Sequence, residues 1–140
     1  MKYEIVPLKG LDGILFGMDA RRVRALMGTG FKSFKRTPEA AFPCDYFADA
    51  GVFANYDGTG HLEAIELASP ATPRLYGINL LGMGFDAAVK FLMAKDPELD
   101  QEADGAISLA MGISLYAPHA AKDPKAAAES VLLFAAGYYD

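Results

Sequence analysis

Two segments of the chain place apolar residues at the three- and four-residue intervals of an amphipathic helix. They are residues 23–27 and 89–93, and this spacing predicts two short helices, each with one apolar face. Asp19 and Asp86 precede the two segments at positions where a carboxylate can accept the free amides of a first turn. Gly28 follows the first segment and is expected to end that helix.

Between and after these helices lie short runs rich in β-branched and aromatic residues, which predict strands. The runs are residues 46–51, 52–56, 62–67, 107–112, 113–116 and 131–135. Asp57-Gly58 separates the second run from the third, and this pair is typical of a tight hairpin turn. The runs are too short and too evenly punctuated for a helical protein, so antiparallel pairing is the expected arrangement.

The predicted elements occur in the same order in both halves of the chain. Gly13–Met18 is echoed by Gly77–Met83, and each is followed by a helical segment and then by strands. We therefore predict an α+β fold in one compact domain, residues 1–140, with pseudo-two-fold related units at about 11–68 and 75–136. Each unit is expected to be β-α-β-β-β, with its helix on one side of an antiparallel sheet. The other side of the sheet must then meet the second unit, a partner or water.

Composition narrows the range of functions. The chain has 140 residues, 52% of them hydrophobic and 22% charged, which is enough for a packed core. A net charge of −5 disfavours binding to nucleic acid phosphates. No apolar run approaches the roughly 20 residues needed to cross a bilayer, and the N-terminus does not resemble a signal peptide. With a single cysteine, the chain is predicted to reside in the cytoplasm.

The reactive residue types are scattered. Cys44 lies next to Asp45, whose charge opposes thiolate formation, and nothing in the sequence places His61 or His119 beside it. No spacing of Cys and His suggests a metal site, and no motif suggests a cofactor. Glu63 and Glu66 are three residues apart on one strand, so they should point to opposite faces unless a bulge intervenes. We therefore predict a protein without catalytic activity.

Tyrosines and carboxylates on the predicted strands and turns are the candidate binding groups. Tyrosine combines a large apolar ring with a hydroxyl, which suits protein interfaces. The candidates are Tyr46, Asp49, Tyr56, Glu63, Glu66 and Tyr116. An acidic surface favours a basic protein partner, because opposite charges accelerate encounter.

The run Phe16-Gly17-Met18, followed by Val23 and by Met27-Gly28, resembles the start of the repeats in two families. These are the outer-membrane assembly lipoproteins of the BamE/SmpA type and the β-lactamase-inhibitor proteins. The resemblance implies a helix before antiparallel strands, and protein binding without catalysis. The chain departs from those families in having Gly28-Thr29-Gly30 where Gly-x-Pro is usual, and it has no paired cysteines.

The whole chain also resembles small bacterial proteins of unassigned function. The similarity lies in the Ala64-Ile65-Glu66 strand and in the terminal Gly137-Tyr138-Tyr139-Asp140. Some small acidic bacterial proteins of this kind are immunity partners of secreted toxins. This resemblance implies an immunity-type inhibitor, and it assigns no role to any single residue.

Three hypotheses follow. The first is a protein-binding module, in the form of an immunity-type inhibitor. The second is a small-molecule binder or enzyme whose pocket lies between the two units and uses tyrosine, glutamate and His119. The third is a structural homodimer formed through open sheets or edge strands. A ligand-sized cavity between the units would favour the second, and light scattering distinguishes the third from a monomer.

Overall fold

The computed structural model describes residues 3–35 and 37–139. Its two helices are α1 (Ala20–Met27) and α2 (Phe85–Lys95). Its strands are β1 (Tyr3–Val6), β2 (Gly10–Leu11), β3 (Ile14–Leu15), β4 (Lys32–Phe34), β5 (Cys44–Phe47), β6 (Val52–Tyr56), β7 (Leu62–Ala68), β8 (Pro73–Leu75), β9 (Ile78–Asn79), β10 (Asp100–Glu102), β11 (Gly105–Ser108), β12 (Ile113–Tyr116) and β13 (Ser130–Phe134). The predicted α+β class, with mostly antiparallel sheets, is confirmed.

The strands form two sheets of unequal size. The small sheet has the order β3-β2-β1-β8-β9, and its one parallel contact joins β1 to β8. The large sheet has the order β10-β11-β12-β13-β7-β6-β5-β4, and all of its neighbouring strands are antiparallel. The last strands of the two halves, β7 and β13, pair at the centre of the large sheet, so both halves contribute to one continuous surface.

The element order around each helix is richer than the predicted β-α-β-β-β. A two-stranded hairpin precedes each helix, β2-β3 before α1 and β8-β9 before α2. Four strands then follow each helix, where the sequence pattern predicted three, because that pattern did not reveal β4 and β10. These two strands are three residues long, and all of their residues are exposed, so they carry no alternation of buried apolar and exposed polar positions.

The helix ends follow the predictions in part. Asp19 caps α1, and its carboxylate accepts a hydrogen bond from the Arg22 amide at 2.8 Å. Gly28 ends this helix with φ at 103°. The prediction for Asp86 is wrong, because α2 begins earlier, at Phe85, with Gly84 as its cap. Asp86 lies inside the first turn, where its negative charge interacts favourably with the positive end of the helix dipole.

The predicted hairpin between β6 and β7 is present, with a different residue at its critical position. Asp57 accepts hydrogen bonds from the backbone amides of Thr59 and His61 at 2.9 and 3.1 Å. Gly60, rather than Gly58, takes the positive φ of 82°. A Cβ at Gly60 would lie 2.8 Å from the ring of Phe42, so glycine here also makes room for that ring.

The core lies between the large sheet, the two helices and the small sheet, and it includes residues from both halves. Where β7 meets β13, the helix side of the seam is filled by Ile65, Leu67, Val131 and Leu133, each at most 2% exposed. The second hypothesis expects a pocket between the halves. This part of the seam does not provide one, because aliphatic side chains fill it. Neither α1 nor α2, the helices of the described residues, has the length and apolarity needed to cross a membrane.

Candidate functional site

The large sheet has one face covered by both helices and an opposite face that is covered only in part. Asp45 of β5 is hydrogen-bonded to Arg24 of α1, and Ser108 of β11 is hydrogen-bonded to Asp96 at the end of α2. These contacts place both helices on the face that carries Asp45 and Ser108, here called the helix face. Because neighbouring residues of a strand point to opposite sides, Tyr46 points away from the helices. Its side of the sheet is here called the open face.

Strand pairing places one row of side chains across the whole open face. From edge to edge the row is Lys32, Tyr46, Phe53, Glu66, Leu132, Ser114, Ile107 and Asp100. Each of these residues is half-buried or exposed, although several carry large apolar side chains. A row of partly exposed apolar groups on one face of a sheet is the kind of surface on which another molecule can pack.

Aromatic rings concentrate at one end of this row. The rings of Tyr46 and Phe53 stack with centroids 4.1 Å apart and planes 15° apart. Phe34, 42% exposed, meets Phe53 edge to face at 6.3 Å. Each ring limits the rotation of its neighbour, so this aromatic cluster (Tyr46, Phe53 and Phe34) is a preorganised surface.

Carboxylates outnumber cations on the open face. Glu66, Asp100 and Glu102 occupy strand positions of this face, against Lys32 alone within the described residues. Glu66 lies between Phe53 and Leu132 in the row and accepts a long hydrogen bond, 3.4 Å, from Ser130. The Glu66 carboxylate therefore lies between two apolar side chains at the centre of the face.

The structure brings together some of the predicted site residues and separates others. Tyr46 and Glu66 both neighbour Phe53 in the open-face row, and Tyr116, 51% exposed, is on the same face near β11. Asp49 lies apart from them, exposed in the turn between β5 and β6. Phe53 and Phe34 were missed by the sequence reasoning, and the available signal was the position of Phe53 inside the predicted strand 52–56.

Tyr56 is buried, whereas it was predicted to lie on the sheet surface. It is only 7% exposed, because it pairs with Leu62 on the covered side, and its hydroxyl donates to Asp45 at 2.8 Å. Asp45 has a fully buried side chain and also accepts two hydrogen bonds from Arg24, at 2.7 and 2.9 Å, and one from Ser33 at 2.5 Å. Tyr56 therefore belongs to a buried polar network, which holds α1 against the sheet.

This network gives the stability of the protein a pH dependence. Burial raises the pKa of Asp45, but the hydrogen bonds from Arg24, Ser33 and Tyr56 together outweigh burial and hold that pKa below its ordinary value. A carboxyl group with a lowered pKa in the folded state stabilises the fold above its unfolded pKa of about 3.9. That contribution is lost as the pH falls through the folded pKa.

We therefore expect Asp45→Asn to flatten the acid limb of the stability curve. Urea unfolding of the natural protein between about pH 5 and pH 3 should show a steeper loss of free energy than the variant shows, since asparagine does not titrate. Asp49→Asn, in the exposed turn, is the matched control and should keep the natural slope. Parallel curves for the natural protein and Asp45→Asn would contradict this account of the network.

The sequence predicts opposite faces for Glu63 and Glu66 unless a β-bulge intervenes, and the structure contains such a bulge. The pairing of β6 with β7 shifts between Asn55 and Tyr56, which leaves one extra residue on β7 at Glu63. Glu63 consequently lines a pocket with Cys44 and Asn55. Cys44 is two residues from Tyr46 and Asn55 is two residues from Phe53, so both lie on the open-face side of the sheet. The pocket is therefore on that side. Burial, and then the charge of Asp57, raises the pKa of Glu63.

The remaining reactive types stay apart. His61 lies against Thr59, with Nδ1 and Oγ1 2.9 Å apart, and His119 lies 3.4 Å from Glu129 on the surface. The buried Cys44 thiol is in neither place. Within residues 3–35 and 37–139, no group of three or more Cys, His, Asp and Glu side chains is positioned to hold a metal ion.

The chain matches no family model, no curated protein and no solved structure. Its relationship to the lipoprotein and inhibitor families stays a prediction from the sequence. The open face and its neighbouring pocket are therefore interpreted from their own chemistry.

Proposed function

We propose that this chain is a non-catalytic protein-binding module that docks through the open face of its large sheet onto a basic partner protein. The observation that carries the proposal is the row from Lys32 to Asp100 on the face opposite the Arg24–Asp45 and Asp96–Ser108 contacts of the helices. It joins apolar rings, an aliphatic centre and carboxylates in one continuous surface.

The aromatic cluster would supply most of the binding energy. Residues that dominate protein interfaces are enriched in tyrosine and other large side chains that are already held in place. The stacked rings of Tyr46 and Phe53 meet this description, because little side-chain freedom remains to be lost on binding. Leu132 and Ile107 extend the apolar contact towards the other half of the sheet.

Charge would set the class of partner. The excess of carboxylates over Lys32 on the open face, together with the net charge of −5, attracts a positively charged surface and repels an acidic one. Glu66 lies centrally in the row, so a cationic group of a partner docked there would come close to its carboxylate. The resemblance to immunity partners favours a more specific role, inhibition of a basic bacterial toxin.

We also propose that the two halves arose by duplication. The support is the repeated order of hairpin, helix and four strands, and the mirrored order of strands on either side of the β7-β13 pair. A doubled unit suits the proposed role, because joining two four-stranded sheets edge to edge makes one face wide enough for a protein partner.

A site-specific cross-linker tests the function. We expect p-benzoylphenylalanine in place of Tyr46 to capture one basic protein in lysate of the organism that encodes the chain. The same group at Arg22, exposed on α1, should not capture that protein. With the captured protein purified, Phe53→Ala should weaken the complex by about thirtyfold, the loss of a 2 kcal/mol anchor.

Charge dependence provides the second readout. Glu66→Lys should slow association and reduce its dependence on salt, whereas Arg22→Ala should leave both unchanged. Equal capture at positions 46 and 22, or a complex indifferent to Phe53→Ala and Glu66→Lys, would refute docking through this face.

A further inference from the structure

A pocket lies at one end of the open face, where β5 begins and where β6 and β7 approach their connecting turn. Its volume is about 130 Å³, and its lining is Ala40, Phe42, Cys44, Asn55, Tyr56, Glu63 and Tyr138. The pocket thus combines an amide and a carboxyl group with three aromatic rings. Neither the aromatic cluster nor the Asp45 network explains this combination.

Asn55 has an unused acceptor. The residue is 8% exposed, and its Oδ1 receives no hydrogen bond. A buried carbonyl oxygen without a donor carries a free-energy cost, because it has lost the hydrogen bonds that water would give it. Because the side chain lines the pocket, an N–H group of a bound molecule placed there would remove that cost. The amide therefore selects for a hydrogen-bond donor.

Glu63 selects for positive charge. Burial raises the pKa of this carboxyl group, and the charge of Asp57 raises it further. Both effects disfavour the ionised carboxylate, and a cation in the pocket would offset both. A bound group that is both donor and cation would thus satisfy Asn55 and Glu63 together.

Packing contacts hold the aromatic walls in place. Phe42 meets Tyr56 edge to face at 5.5 Å and lies against Gly60. Tyr138 stacks on Phe134 with centroids 5.8 Å apart. Ring faces attract cations, and they accept a flat guanidinium group especially well. The walls are therefore compatible with a planar cation.

Size decides what carries that cation. Sites for drug-sized molecules occupy roughly 300–1,000 Å³, and this pocket is well below that range. A single side chain is a better fit. Arginine presents five N–H donors in one plane and can reach two separate acceptors, whereas the lysine ammonium is a compact point charge.

We propose that this pocket receives the guanidinium group of an arginine side chain from the partner protein, bound between Glu63, Asn55 and the aromatic walls. This inference rests on the proposed protein-binding function, because the pocket adjoins the open face on which the partner would dock.

Methylguanidinium chloride is the first probe, and N-methylurea is its neutral counterpart. In heteronuclear NMR spectra of the full chain, we expect methylguanidinium to shift the Asn55 side-chain amide and the Cys44 and Glu63 backbone amides saturably. N-methylurea and sodium chloride should not. The affinity should fall as the pH drops through the raised pKa of Glu63, because protonation removes the charge that the probe needs.

Glu63→Gln is tested beside Glu98→Gln, a control whose side chain is exposed in the segment after α2. The first should weaken methylguanidinium binding at least about tenfold and abolish its pH dependence, and the second should change neither. Equal affinity for Glu63→Gln and the natural protein, equal shifts from N-methylurea, or no saturable shift at these residues would overturn the proposal.

The protein captured at position 46 provides the second arm. We expect Glu63→Gln to weaken that complex about tenfold and methylguanidinium to compete with it. If the complex forms through the open face but neither Glu63→Gln nor methylguanidinium weakens it, the arginine pocket is refuted and the protein-binding function stands. If the probe binds while no partner is captured at position 46, the binding function fails and the pocket serves a small guanidinium compound instead.

Discussion

Replacing Arg24 with alanine is expected to lower the free energy of unfolding by about 3 kcal/mol. Removing one member of a buried ion pair costs roughly 3–5 kcal/mol, because the other charge remains buried without compensation. The lower end applies here, since the Asp45 side chain is fully buried but that of Arg24 is 32% exposed and water can partly replace it. Loss of the contact between Arg24 and the Phe31 ring, 4.7 Å apart, adds to the effect.

Urea denaturation measures this loss, and Arg22→Ala is the control on the same helix. Arg22 is exposed, so its replacement should stay within about 0.5 kcal/mol of the natural protein. In a double-mutant cycle, removing Arg24 should cost much less once Asp45→Ala has removed the buried charge. Additive effects in that cycle, or equal stability of the two arginine variants, would show that the ion pair does not hold α1 to the sheet.

Replacing Leu67 with alanine is expected to destabilise the fold by about 2–5 kcal/mol. Leu67 is 0% exposed on β7, the strand that joins the two halves, and it faces Val52 on one side and Val131 on the other. The cavity would lie between strands that are hydrogen-bonded on both sides, so the surroundings cannot collapse easily to fill it.

Leu109→Ala is the matched control for this substitution. Leu109 is 65% exposed in the turn after β11, and the same change there should alter stability by less than about 0.5 kcal/mol. Thermal unfolding followed by circular dichroism would compare the two variants. Similar melting temperatures would mean that the seam between β7 and β13 is not the centre of the core.

The central strands were predictable because their signal is local. Val52–Tyr56 and Ile113–Tyr116 coincide with β6 and β12, and the predictions for β7 and β13 differ from the structure by one residue at an end or at both ends. In these runs, β-branched and aromatic residues alternate with smaller ones and glycine turns limit them. Two-residue strands such as β2 and β9 contain too few positions for such a pattern.

The site was harder to predict because it depends on pairing across the sheet. Tyr46 and Glu66 were identified by residue type, but only the register shows that Phe53 lies between them. Tyr56 was wrongly placed on the surface, because its residue type does not show which face of β6 packs against the helices. The Arg24–Asp45 contact spans 21 positions and forms only when α1 packs on the sheet, so neither residue indicates it alone.

The two outermost strands of the large sheet influence how the protein behaves at high concentration. β10 carries Asp100, Gln101 and Glu102, all exposed. If two copies aligned these strands antiparallel about Gln101, each Asp100 would face a Glu102, and like charges at paired positions are repulsive. This repulsion opposes fibrillar stacking along that edge, so dense solutions should remain clear, and exchanging both carboxylates for amides (Asp100→Asn with Glu102→Gln) should make them turbid.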